Sequence, residues 1–194
     1  MNRPWIASAS VMSLLTAVVV TVTGSSPAHG AGITYISFED VPRECSFSAT
    51  KPLRDRYAAA KFRGPAARDG GAVLDECGSF GVDARTGDRF LAFNDEARTA
   101  NDGRPVGPET ITLPRRQKSV TVWVSQGGGA LGDAAFRLVG KRNGRTVRTA
   151  TVATSTAAWV QLQVKSSRGF DTVRIAATSE PDGVWLLDDL TMRS

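Results

Sequence analysis

Apolar and polar residues alternate in twos along most of this chain. In Ser119-Val120-Thr121-Val122-Trp123-Val124-Ser125 the three valines share one face, and Thr121, Trp123 and Ser125 share the other. Thr34-Tyr35-Ile36-Ser37-Phe38 places Ile36 and Phe38 together, and Trp159-Val160-Gln161-Leu162-Gln163-Val164 turns Val160, Leu162 and Val164 inward. A period of two marks strands with one buried face. Further strands are predicted over 71–74, 89–93, 109–113, 134–140, 145–152, 170–176 and 184–192. Turn signals separate them: Gly70-Gly71, Thr86-Gly87-Asp88, Asn101-Asp102-Gly103, Gly127-Gly128-Gly129, Asn143-Gly144 and Asp182-Gly183. Asn143-Gly144 between two alternating runs predicts a tight hairpin. A single short helix or turn is expected over 54–61, where Tyr57 and three alanines sit among charged residues, and a long polar surface loop over 94–108. Many short strands without alternating helices predict an all-β, two-sheet antiparallel sandwich.

The first thirty residues do not fit that scheme. Arg3 precedes an uncharged, apolar run from Ile6 to Val22, then Ser25, Ser26 and Pro27 break it, and Ala28-His29-Gly30 supplies small residues around a cleavage point. This is the layout of a secretory signal peptide, expected over 1–30. The run is short for a bilayer span of about 20 residues. The expectation is a secreted, extracellular domain over 31–194, of ordinary size for one core, with no membrane span after cleavage. Cys45 and Cys77 are the two cysteines of the chain, and in an exported protein an even count predicts a disulfide between them.

Charge narrows the chemistry less than residue type does. Arginine exceeds lysine 18 to 5 after residue 30. The excess fits either anion binding or a GC-rich coding bias, and the spread of arginines along the chain favours the second. The one histidine, His29, falls inside the signal segment. The mature chain therefore has no Ser-His-Asp or Cys-His arrangement and no histidine for a catalytic zinc. Carboxylates remain, in the adjacent pairs Asp75/Glu76, Asp95/Glu96 and Asp188/Asp189. Neighbours on a regular strand point to opposite faces, so no such pair meets one substrate unaided. No catalytic residue is assigned.

Two acidic segments stand out. Phe38-Glu39-Asp40 closes the first strand, and Trp185-Leu186-Leu187-Asp188-Asp189-Leu190-Thr191 occupies the last. If first and last strands are neighbours, their carboxylates meet at one edge, where a hard cation such as Ca2+ takes oxygen ligands. The other reading has one aspartate capping a turn or pairing with an arginine. The combination of a first strand ending Phe-Glu-Asp, a last strand with an aromatic followed by Asp-Asp-Leu, and sandwich strands between resembles the galactose-binding-like jelly-roll superfamily, with carbohydrate-binding modules of families 4 and 22 nearest. The resemblance covers 33–192 and implies a jelly-roll sandwich. It also implies a structural Ca2+ held by Glu39 with Asp188 or Asp189, and a non-catalytic role. The segment 43–80 departs from the pattern.

Sugar recognition uses flat aromatic faces beside amides. Trp123 and Trp159 fall opposite the buried faces of their strands, and Trp159 shares a face with Gln161 and Gln163. These four are the candidate ligand-binding residues; the competing reading has the tryptophans packing over the sandwich. Trp185 has the parity of Leu187, a core position. The expected partner is a polysaccharide or cell-envelope glycan. The alternatives are an extracellular surface protein binding an anionic partner through its arginines, and a histidine-free lyase or hydrolase that needs Tyr57 beside Arg or Lys in a groove. Nucleic acid is not expected, since no recognition motif is present.

Overall fold

The computed structural model describes residues 32–42, 53–64, 72–75, 81–93, 108–127, 132–179 and 185–194. The signal segment, Cys45 and Cys77, and the acids Glu76, Asp95 and Glu96 lie outside the described residues. Among the described residues no helix is long and apolar enough to cross a membrane.

Nine strands follow in order: β1 (Ile33–Ile36), β2 (Lys61–Arg63), β3 (Ala72–Asp75), β4 (Arg89–Phe93), β5 (Glu109–Ser125), β6 (Ala134–Arg142), β7 (Arg145–Thr154), β8 (Val160–Ser179) and β9 (Trp185–Arg193). Every pairing is antiparallel. The front layer runs β3-β4-β9, then the C-terminal half of β5, then the N-terminal half of β8, with β1 beside the end of β9. The back layer joins β2, the other halves of β5 and β8, β6 and β7. β5 and β8 pass through both layers. Their mutual register slips between Thr112 and Ser119, and such irregularity lets a strand bend from one layer to the other.

The alternation does what it predicts. Val120, Val122, Val124, Leu162 and Val164 from the front layer meet Phe136, Leu138, Ile111, Val173 and Ile175 from the back in one core. Two pairs of predicted strands prove to be one each: 109–113 with 119–125, and 159–164 with 170–176. At the predicted hairpin, Asn143 and Gly144 both have positive φ, 49° and 76°, as a primed turn with right-handed strand twist requires.

No helix forms at 54–61. Arg54 sits at φ 44°, Arg56 N–H donates to Leu53 O at 2.9 Å, and an isolated bridge links Tyr57 to Ala60. The chain turns tightly so that Tyr57 and Phe62 pack edge-on against Phe38 and each other, with centroids 6.1–6.2 Å apart. Burying these rings outweighs the weak helix preference of three alanines.

First and last strands are neighbours: Ile33 pairs with Arg193 and Ile36 with Leu190. β1 ends there. Phe38 then takes φ 68°, an uncommon conformation for a bulky residue, with its ring in the core.

Candidate functional site

The outer face of the front layer carries a second, smaller apolar cluster: Phe90 and Ala92 of β4 with Leu186 of β9. The segment 81–88 folds over it, with Val82 and Ala84 packed down. Strand β9 is thus covered on both sides, and residues Trp185 to Leu190 are all buried. Covering an outer face in this way buries whatever polar groups it carries, and those must then be bonded.

Asp188 and Asp189 are the groups concerned, at 0% and 1% exposure. Adjacent strand residues should diverge, but here they do not. Across from β5, Thr121 pairs with Thr191 and Trp123 with Asp188, so Asp189 and Leu190 together oppose Val122. This is a β-bulge, with Asp189 at φ 50°. Aspartate tolerates that conformation better than most residues. The kink turns both carboxylates toward 81–88, and the expectation that a carboxylate pair on one strand cannot face one place is corrected by it. Asp188 accepts from the amides of Arg85 (3.0 Å) and Thr86 (3.3 Å) at one oxygen, and from the Asp189 amide (2.7 Å) at the other. Asp189 accepts from Thr86 Oγ1 at 2.7 Å, from the Tyr35 hydroxyl, and from the Arg85 guanidinium. Burial, with the Asp189 charge alongside, pushes Asp188 up to about 7, against the three amides that pull it down. The Tyr35 hydroxyl is raised, by burial first and then by its bond to Asp189.

Glu39 reaches the same segment from the other end. Its Oε1 accepts from the amides of Asp88 (3.2 Å) and Arg89 (3.0 Å), while the Arg89 guanidinium donates to its backbone oxygen. Gly87 (φ 66°) lies against the carboxyl; a Cβ there would overlap it, so glycine is required both for the backbone and for the approach.

Glu39 thus bonds Asp88 and Arg89, and the two aspartates bond Arg85 and Thr86, all within the segment Arg85–Arg89. They do so by accepting N–H and O–H donors. Among the described residues no group of three or more Asp, Glu, His or Cys side chains is placed to hold a metal ion. Arg85 supplies a positive charge to this cluster. As arranged here, these residues do not fit a calcium ion.

Next to the acids, register fixes a polar aromatic face. Trp123 of β5 pairs with Gln161 of β8, and Thr121 with Gln163. Gln161 and Gln163 are exposed, and Gln163 Nε2 donates to Thr121 Oγ1 at 2.6 Å. Trp123 is half-buried, with the Arg85 guanidinium 3.9 Å from its ring centre, a cation–π distance. Trp159 goes elsewhere. Its Nε1–H donates to Asp83 O at 2.8 Å, and its ring meets Phe90 edge-on at 6.0 Å. It pins 81–88 to the sheet and joins the small outer cluster. Of the four candidate ligand residues, Trp123, Gln161 and Gln163 share one face and Trp159 packs.

The fold is a jelly-roll sandwich. Among solved structures, the K2 cleaved adhesin domain of Lys-gingipain is similar at 14% identity and TM-score 0.50, over 83% of this chain and 99% of that one. The CBM22-1 xylan-binding domain of Paenibacillus barcinonensis Xyn10C aligns at 18% identity and TM-score 0.45, over 84% and 94%. The family 32 module of C. perfringens NanJ, solved with galactose, aligns at 14% and 0.40, over 68% and 91%. These likenesses are of fold alone. No family model matches the chain, and no curated protein matches it by sequence.

Sequence reasoning missed Arg85, Thr86 and Tyr35. Thr86-Gly87-Asp88 reads as a turn signal, which it is; nothing local says that the turn lands on two aspartates 100 residues away. Tyr57 bonds the end of the first acidic segment. Its hydroxyl donates to Asp40 at 2.6 Å, Arg56 pairs with the same carboxylate at 3.3 Å, and burial followed by the Asp40 bond raises its pKa.

Proposed function

We propose that this chain is an exported, non-catalytic glycan-binding module, with its sugar site on the Thr121, Trp123, Gln161 and Gln163 face. The observation that carries this reading is the register that sets an indole beside two exposed amides on adjacent strands. Amides and hydroxyls hydrogen-bond sugar hydroxyls, and the indole supports the apolar face of a ring. Arg85 covers one side of the indole, so the sugar uses its open edge or displaces the guanidinium. The jelly-roll neighbours described as xylan-binding or solved with galactose make a glycan the first ligand class to test.

Affinity electrophoresis through gels containing xylan, galactan or β-glucan tests it. Retardation by at least one polymer is expected. Trp123→Ala should weaken it about tenfold, since an aromatic stacking contact is worth about 0.5–1.5 kcal/mol beyond its buried area and about 1.4 kcal/mol is tenfold. Trp159→Ala should chiefly lower thermal stability. A protein that no glycan retards, or a Trp123→Ala variant retained like the parent, would sink the proposal.

Export rests on the signal layout of residues 1–30. Within this reading Arg85 and the amides of 85–89 do the cross-linking that the family resemblance assigns to calcium. A ligand that binds only the native state raises its melting temperature. Ca2+ and EDTA should each leave the melting temperature of the purified chain unchanged; a fall in EDTA restored by Ca2+ would assign an ion to Glu39 and Asp188.

A further inference from the structure

The back layer carries a feature that the glycan face does not use. Over 108–179 there are 11 Lys and Arg against 3 Asp and Glu, whereas the other residues from 31 onward hold 12 against 16. The cations are spread along the chain, but the sheet gathers them. Arg137, Val139 and Lys141 alternate on one face of β6. Val139 pairs with Arg174 of β8, Arg137 with Ala176, and Lys141 with Thr146 of β7. Strand geometry then sets Arg137 and Lys141 about 13 Å apart, with Arg174 about 5 Å to the side of the point between them.

These residues line an open groove of about 330 Å3, with Val139 and Ala176 in its floor, the Thr146 hydroxyl beside them, and the Thr178 hydroxyl left as an acceptor by its bond to Ala135 O at 3.1 Å. Arg137 and Arg174 are exposed, and Lys141 is half-buried. Among the described residues no carboxylate pairs with any of the three. Elsewhere in the molecule arginines do find acids: Arg56 meets Asp40, Arg63 meets Asp55 and Arg85 meets Asp189. Three like charges held around one groove, with no paired carboxylate among the described residues, repel one another, and an anionic ligand relieves that repulsion.

We propose that this groove is a second binding site, for an extended polyanionic polysaccharide carrying carboxylate or sulfate groups. Guanidinium forks pair bidentately with such groups, the threonine hydroxyls suit the neutral hydroxyls between them, and an open sheet face admits a long chain. The groove lining has no aromatic ring, so it lacks the stacking platform that single-stranded nucleic acid uses. No helix is present among the described residues to enter a duplex groove.

The test measures binding of the whole secreted chain to dextran sulfate, polygalacturonate, poly-L-glutamate and single-stranded DNA over a range of salt. Dextran sulfate or polygalacturonate should bind most tightly, and which of them does so separates sulfate from carboxylate recognition. The triple variant Arg137→Gln, Lys141→Gln, Arg174→Gln should lose at least about tenfold in affinity and flatten the salt dependence, because each removed contact releases fewer counterions. All three side chains lie on the surface of their face, so its melting temperature should match the parent, and a matching value is the control for folding. Trp123→Ala should bind the polyanions like the parent, which separates this site from the glycan face. Unchanged binding by the triple variant, equal loss in Trp123→Ala, or polyglutamate or DNA binding as tightly as the polysaccharides would overturn the proposal.

Discussion

Replacing Asp188 with Ala is expected to cost about 3 kcal/mol of unfolding free energy at pH 5, and less at pH 8. The carboxylate holds three backbone amides, those of Arg85, Thr86 and Asp189, in a place with no access to solvent. Each buried donor left without its acceptor costs about 1–3 kcal/mol, reduced where loosening lets water in. Segment 81–88 would loosen, and the Arg85–Trp123 stack with it. The pH dependence follows from the raised Asp188 pKa of about 7. Between the ordinary carboxyl value near 4 and about 7, the folded chain holds a proton that the unfolded chain has released. Stability contributed by this group therefore falls as pH rises through that window, and is flat above it. The alanine variant lacks the titration, so the gap between variant and parent narrows toward pH 8. Urea unfolding of both proteins at pH 5 and 8 measures it. A gap that stays constant with pH would show that Asp188 titrates at an ordinary value, and one that widens would equally overturn the raised pKa.

The second large effect lies at the centre of the core. Trp185→Ala should destabilise the domain by about 3–5 kcal/mol, the range for deleting a fully buried large aromatic. Trp185 is wholly buried. Register sets it opposite Phe93 of β4, and the two rings stack 3.6 Å apart at 8°. From the back layer Phe136 reaches it at 6.4 Å. One side chain thus ties β4 to β9 within a sheet and the front layer to the back, so its loss opens a cavity at the junction of all three. Trp185→Phe, which keeps a ring in the stack, should recover more than half of the loss in urea unfolding followed by circular dichroism. Equal losses for Ala and Phe would show that the stack contributes nothing.

The candidate site was half legible. Pairing of the first and last strands follows from the residue pattern and the usual closure of a sandwich. Trp123 beside Gln161 follows from parity once β5 and β8 are neighbours. Trp159 has the same parity and a different fate, because the end of a strand lies under the neighbouring loop and an indole there gains more from Phe90 and the Asp83 carbonyl than from water. The polyanion groove was not legible in the spread of arginines along the chain, although the excess of cations over 108–179 is present in the sequence. Counting arginines singly along the chain hides it, because side chains four apart on one strand and across on the next surround one groove only in the sheet.

By itself the sequence determined the all-β class, the inward faces of the main strands, the Asn143-Gly144 hairpin and the absence of histidine chemistry after residue 30. Each rests on local chemistry: a period of two, a pair of residues that accept positive φ, a missing imidazole. Only the tertiary structure decided that Asp189 bulges, that both carboxylates turn one way onto the amides of 85–89, that residues 54–61 turn instead of coiling, and that Arg137, Lys141 and Arg174 surround one groove. Those outcomes depend on which strand lies beside which and on what covers its outer face. Contacts between residues up to about 150 positions apart set them, and no local pattern encodes the balance of burial, register and charge that selects among the alternatives.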